Sequence, residues 1–298
     1  MTATLFDVAG PKTRARHGVY AIGGSLVVVA IVAFVLYRLW QADQLQGSLW
    51  TWLQYTKIQI GLLTAIRKTL QAFAMASVLA LVFGSVFAMG RLSQHAWLRV
   101  PSTIIVEFFR AVPLVIMMFV FYYGLPAVGV KMSAFLAVVL GLTLYNGSVL
   151  AEVFRAGVLS LPHGQSEAAY ALGMRKTQVM ISVLLPQALR AMLPAIVSQL
   201  TVLLKDTALG FIITYDELLY YIRSLGSQVT LHHPLIPVMI VGGGIYVIMC
   251  LLLSWLAHYL EGRNRRSKKH IDLEPGDGAD PDQIVLGGAA EAGDAGGI

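Results

Sequence analysis

The sequence predicts an all-α, polytopic membrane protein, and three observations predict it. First, 57% of the 298 residues are hydrophobic and only 13% are charged, against about 25% charged in ordinary soluble domains. Second, six stretches approach the roughly 20 apolar residues that a helix needs to cross hydrocarbon. Third, the Lys and Arg residues fall unevenly between the connections. Helices are expected because only a helix satisfies every backbone polar group within its own segment.

The first predicted span is 19–40. Lys12, Arg14 and Arg16 precede an uncharged run of 19 residues from Val19 to Tyr37, longer than the ~7–15 apolar residues of a signal core. Arg38 and Trp40 follow it instead of a small-residue cleavage site. The run reads as a retained helix, with residues 1–18 as a basic tail. Ile58–Ile66 is too short to span and is expected at the outer interface. The remaining spans are Thr69–Met89, Ile104–Val128, Ala134–Val153, Ala188–Leu209 and Leu235–Leu260.

Orientation follows from the positive charges. With both termini in the cytosol, fourteen Lys and Arg residues lie on the cytosolic side and six outside, which favours that arrangement. Residues 1–271 carry 22 basic groups against 9 acidic ones, as expected of connections held at an anionic leaflet. Nucleic-acid binding is a poor reading, because these cations are spread among apolar spans. The segment 261–298 is a cytosolic tail, expected to be disordered beyond about 273, where six acidic residues accompany many Gly and Ala.

Redox and metal chemistry find no support. Cys250 is the only cysteine, so no disulfide forms within one chain. His232 and His233 have no partners at ligand spacing, and no metal site is expected. An intramembrane enzyme lacks its signatures, HExxH or a pair of aspartates within the spans.

The most informative stretch lies between the fourth and fifth spans: SEAAYALGMRKTQVMISVLLP, residues 166–186. It reads as a short amphipathic helix, a glycine hinge and a second helix ending at a proline. Glu167 is expected to place a charge in the first turn. Ala168 and Ala169 are small enough for another protein to approach closely. Gly173 permits a positive φ between the helices. Pro186 is expected to mark the turn into the next span.

Ionisable and polar groups within spans form the second set, because they are costly in hydrocarbon. Lys205 and Asp206 interrupt an apolar stretch; they mark either the outer end of a span or a translocation path. Glu107 with Arg110, and Glu152 with Arg155, are spaced to pair along one helix face. Asn146 and Tyr145 sit in mid-span, lining a substrate route or bonding helix to helix. Arg110 and Lys205 are the cations available to such a route. The chain lacks a G-x4-G-K-[ST] loop and so cannot supply nucleotide chemistry.

The spacing E-A-A-x3-G-x9-[IV]-x-L-P resembles the EAA loop of binding-protein-dependent ABC importer permeases, with Val183 in place of the commoner Ile. FFRAVPLV at 108–115, YNGSVLAEVFRAGVLSLPHGQSEAA from Tyr145, and LLPQALRAMLPAIVSQ followed by LLKDTALG resemble its polar amino-acid branch, with glutamate-type permeases of actinobacteria the nearest pattern. The resemblance covers about 61–260 and implies a five-span type I importer core, with the 19–40 helix as an addition. It implies a bacterial inner-membrane location and a coupling loop at 154–187 that docks on a cytosolic ABC ATPase dimer through Glu167, Ala168, Ala169, Gly173 and Pro186. It also implies a second permease, identical or homologous, and an extracytoplasmic solute-binding protein. ATP and Mg would be bound by the ATPase, leaving no cofactor in this chain. The rival is an ion-coupled secondary amino-acid transporter, which needs intramembrane carboxylates and internal repeats; Asp206 is the one acidic residue placed deeply enough.

Overall fold

The computed structural model describes residues 10–44 and 46–266, and all of the described secondary structure is helical. The first nine residues of the expected basic tail, and the tail from 267 onward, lie outside the described residues. The chain divides after Ala257. Of the second unit only His258–Arg266, the final turns of the last helix, is described.

Among the described residues five helices are long and apolar enough to cross a membrane, or six if one bent helix pair is counted as a span. Helix α1 (Pro11–Gln41) has no buried residue in its spanning window. Its apolar side chains therefore face outward on every side, as a lipid-exposed helix requires. A 3-10 turn (Gly47–Gln54) follows and inserts Leu49 and Trp52 into the protein.

Helix α2 (Thr56–Arg91) has 36 residues, about 54 Å at 1.5 Å per residue, well beyond a hydrocarbon core of about 30 Å. Ile58–Ile66 is accordingly not a separate interfacial segment, as expected above, but the first turns of this helix. What extends it is packing: Gly61 leaves room for the Tyr221 ring, whose hydroxyl donates to the Ile58 carbonyl at 3.2 Å. Ala65, Thr69, Ala72, Ala76, Ala80, Gly84 and Ala88 form one buried stripe at helical spacing. This stripe lets α2 pack closely on α6 (Ala134–Leu159), and the two form the centre of the main core.

The expected single span at 104–128 is broken. α3 (Ala96–Ala111) and the element Leu114–Ala127, which begins with α4 (Leu114–Phe119), meet at a bend of 96°. Val112 precedes Pro113 and takes extended angles (φ −81, ψ 125), because the proline ring disfavours the helical region for its neighbour. A π segment (Val120–Gly124) and a short α5 (Leu125–Ala127) complete that element.

After α6 come α7 (His163–Ala171), α8 (Lys176–Gln178), a π segment (Val179–Leu184), α9 (Leu185–Asp206) and a 3-10 segment (Thr207–Ile213). The last four run as one 38-residue element. Pro186 therefore does not turn the chain: it lies in the first turn of α9, directly after the π segment. Proline lacks an N–H and crowds the carbonyl four residues back; the wider i→i+5 winding beside it accommodates both defects. Helix α10 (Leu218–Gly226) and helix α11 (Leu235–Arg266) end the described chain. Leu218, Ile222, Leu225 and Val238 gather around Trp52 in a second, smaller core.

Candidate functional site

The connection after α6 is shorter than the predicted 154–187, since α6 continues to Leu159 and the 38-residue element that contains α9 starts at Lys176. Helix α7 ends in a two-bond cap: the Gly173 N–H donates to the Tyr170 carbonyl at 2.9 Å and the Met174 N–H to the Ala169 carbonyl at 3.2 Å. This Schellman arrangement needs a left-handed residue after the helix, and Gly173 has φ +77. The hinge role read from the sequence thus has a definite geometry. Gln187 secures the other end of α7, donating to Gln165 Oε1 at 3.3 Å and the Val183 carbonyl at 2.9 Å.

Two sequence expectations for α7 are corrected. Ala169 is buried at 5% exposure on a helix that packs against the π segment. Its small size serves contact within the chain, and it is not open to another protein. Glu167 lies beyond the first turn, which has no acidic residue, so it does not complement the helix N-terminus. Glu167, Ala168, Tyr170 and Leu172 are among the exposed residues of α7 and its cap, with Leu172 at 83% exposure.

At the same end of α6 the two expected ion pairs are present and joined. Arg110 Nη1 lies 3.2 Å from Glu107 Oε1, and Arg155 Nη2 lies 2.6 Å from Glu152 Oε1. Arg91, from the end of α2, contacts both acids: Nη2 to Glu107 at 3.2 Å and Nη1 to Glu152 at 2.8 Å. Its side chain is only 8% exposed. Sequence spacing did not reveal Arg91, because its partners are 16 and 61 positions away. Arg110 also lies 3.9 Å from Glu152, so this predicted substrate cation belongs to a helix-end network.

Deeper in the bundle, Asn146 is fully buried on α6 and its Oδ1 accepts from Gln199 Nε2 of α9 at 2.7 Å. The Asp206 carboxylate faces the Asn146 side chain. The Asn146 amide nitrogen makes no complete hydrogen bond, nor do the hydroxyls of Ser77 on α2 and Thr143 on α6. Unpaired buried polar groups are costly, and three on two facing helices mark a polar interior. The structure thus unites two predicted residues, Asn146 and Asp206, and adds Gln199. Lys205 is exposed and enters no ion pair among the described residues.

A further buried acid escaped the sequence reading. Glu217 is fully buried and caps α10, accepting from the Leu219 N–H at 2.8 Å, the Tyr220 N–H at 2.7 Å and the Tyr246 hydroxyl of α11 at 2.7 Å. Burial pushes its carboxyl up to about 7, opposed by these three hydrogen bonds. Beside it, Thr69 accepts the Leu218 N–H at 3.0 Å, and Lys68 pairs with Asp216 at 2.9 Å.

Long apolar helices, a polar interior and an exposed capped helix between two spans define a multi-pass membrane permease. The chain belongs to the family of binding-protein-dependent transport system inner membrane components, whose model matches residues 80–266. It is 39% identical over 240 residues to the glutamate transport system permease protein GluD of Corynebacterium glutamicum, covering 76% of this chain and 85% of that one. It is 32% identical to a probable glutamine ABC transporter permease protein, GlnP, of Bacillus subtilis, covering 65% and 89% respectively. Among solved structures, a chain of an amino acid ABC transporter with histidines superposes with a TM-score of 0.65 at 28% identity, over 71% of this chain and 97% of that one.

Proposed function

We propose that this chain is a permease subunit of an ATP-driven amino-acid importer in the bacterial inner membrane, carrying glutamate or a related polar amino acid. The observation that carries this reading is the 39% identity, over three quarters of the chain, to a permease named for glutamate transport. The internal polar set supports it chemically. Asp206 is an acceptor for a substrate ammonium, and the Asn146 amide and Gln199 are neutral hydrogen-bonding groups for the rest of the molecule. Binding a zwitterion there satisfies polar atoms that are otherwise unpaired.

In this reading both termini are cytosolic, as the Lys and Arg distribution favours. The exposed part of α7, with Glu167, Ala168 and Leu172, docks on a cytosolic ATPase dimer. Gly173 and Pro186 shape the elements behind that surface. Two permeases, identical or homologous, enclose the path, and an extracytoplasmic solute-binding protein delivers the cargo. ATP and Mg are bound by the ATPase, and alternating access moves the substrate.

Proteoliposome uptake tests this proposal. With partner ATPase and binding protein, uptake of labelled glutamate requires ATP and survives collapse of the ion gradients. Uptake that persists without ATP and stops with the gradient would establish the ion-coupled transporter instead. Competition by aspartate, glutamine and arginine ranks the cargo.

A further inference from the structure

A cleft of about 530 Å3 separates the end of α1 from the α10–α11 connection. Its wall is divided by chemistry. Leu39 of α1 and Leu235 and Ile236 of α11 supply apolar surface, whereas Gln44, Arg223 and His233 supply polar groups. Helix α1 crosses the membrane by composition and its spanning window buries nothing against the chain, so the cleft adjoins the end of a helix whose surface is suited to lipid. Soluble ligands do not need such an apolar wall, but a molecule with a polar head and a hydrocarbon tail does.

Arg223 indicates the charge of that head. Its guanidinium carbon lies 4.7 Å from the centre of the Phe211 ring. It enters no ion pair among the described residues. Stacking occupies the face of a guanidinium and leaves its edge donors for a planar or tetrahedral anion. Gln44 is held at the cleft because its Oε1 accepts from the Ile236 N–H at 3.5 Å, which leaves its amide donors free to face a ligand. His232 and His233 both adopt left-handed backbone (φ 56 and 53), an uncommon conformation for residues with a Cβ. This turn brings His233 to the cleft.

We infer that this cleft binds one anionic phospholipid, with its phosphate on Arg223, Gln44 and His233 and its acyl chains along Leu39, Leu235 and Ile236. The lipid fills the space between the otherwise unpartnered α1 and the rest of the chain. It thereby makes the N-terminal helix part of the assembled permease.

Native mass spectrometry of the purified full-length chain tests this, titrating phosphatidylglycerol, phosphatidylcholine and sn-glycerol 3-phosphate separately. One phosphatidylglycerol is retained in preference to phosphatidylcholine. Arg223→Gln weakens its retention by about tenfold or more, as loss of a charge-assisted hydrogen bond requires, and Arg223→Lys restores much of it. Leu39→Trp, which obstructs the apolar wall without touching the cation, weakens retention as well. Unchanged phosphatidylglycerol binding in both Arg223→Gln and Leu39→Trp overturns the assignment. Glycerol phosphate binding as tightly as the lipid also overturns it, identifying a soluble anion site.

Discussion

Replacing Gly84 by alanine adds one carbon where α2 crosses α6. A Cβ at that position meets Leu150 Cβ at 2.9 Å, the Gly147 carbonyl oxygen at 3.1 Å and the Ala151 nitrogen at 3.2 Å. Two of these atoms are backbone and the third is the fixed first atom of a side chain, so relief requires the helices to part. Overpacking of this kind costs about 1–3 kcal/mol, while alanine gains about 0.8–1.0 kcal/mol over glycine inside a helix. The net expectation is a loss of about 1 kcal/mol, or roughly 2–4 °C in Tm for a chain of this size. Gly147→Ala is milder, because its closest contact, the Phe83 ring atom Cδ1 at 2.9 Å, can rotate aside, leaving the Ala80 carbonyl oxygen and Phe83 Cβ, each at 3.2 Å. Gly243→Ala meets nothing within 4 Å and keeps the propensity gain. Thermal unfolding of the purified full-length chain in detergent should therefore rank Gly84→Ala lowest, Gly147→Ala next and Gly243→Ala at or above the parent. If Gly84→Ala melts with or above Gly243→Ala, the close crossing of α2 and α6 is wrong.

Three further outcomes follow from the polar groups. Glu152→Gln leaves Arg91, Arg110 and Arg155 without their shared carboxylate; partial solvent exposure limits the loss to about 1–2 kcal/mol, and an unchanged Tm would show that the network adds nothing. Asp206→Asn keeps the shape but removes the negative charge proposed to meet a substrate ammonium, so KM for uptake should rise about 10–100-fold, and a parental KM would remove Asp206 from the path. Glu217 has a folded-state carboxyl raised from 4.5 to about 7, so the folded chain holds the extra proton and stability falls as pH rises from about 4.5 through 7. Glu217→Gln should flatten that part of a Tm–pH profile, and a profile that keeps its slope would dismiss Glu217 as the titrating group.

The five to six apolar crossings were legible because they depend on composition: an apolar run long enough to cross a bilayer has few other fates. The break at Val112–Pro113 was also written in the chain, but continuous hydrophobicity on both sides concealed it. The length of α2 was not legible, since its first turns are held by Tyr221, more than 150 positions away. Gly173 was read correctly because a left-handed cap is a local requirement. The facing of Ala169 was not, because adjacent small residues in a helix point in different directions and only packing decides which is covered. Asn146 and Asp206 stood out as polar groups in apolar surroundings. Gln199 became informative only once Asn146 was opposite it, and Arg91 only once α2, α3 and α6 were brought together.

The proposed role of α7 and its cap, to receive force from a separate ATPase, is the central claim. The most direct test measures ATP hydrolysis and substrate uptake together in a reconstituted complex carrying Glu167→Lys or Gly173→Asp. The account predicts that each variant inserts and that the ATPase still hydrolyses ATP, while uptake is lost. Parental uptake by both variants would contradict it.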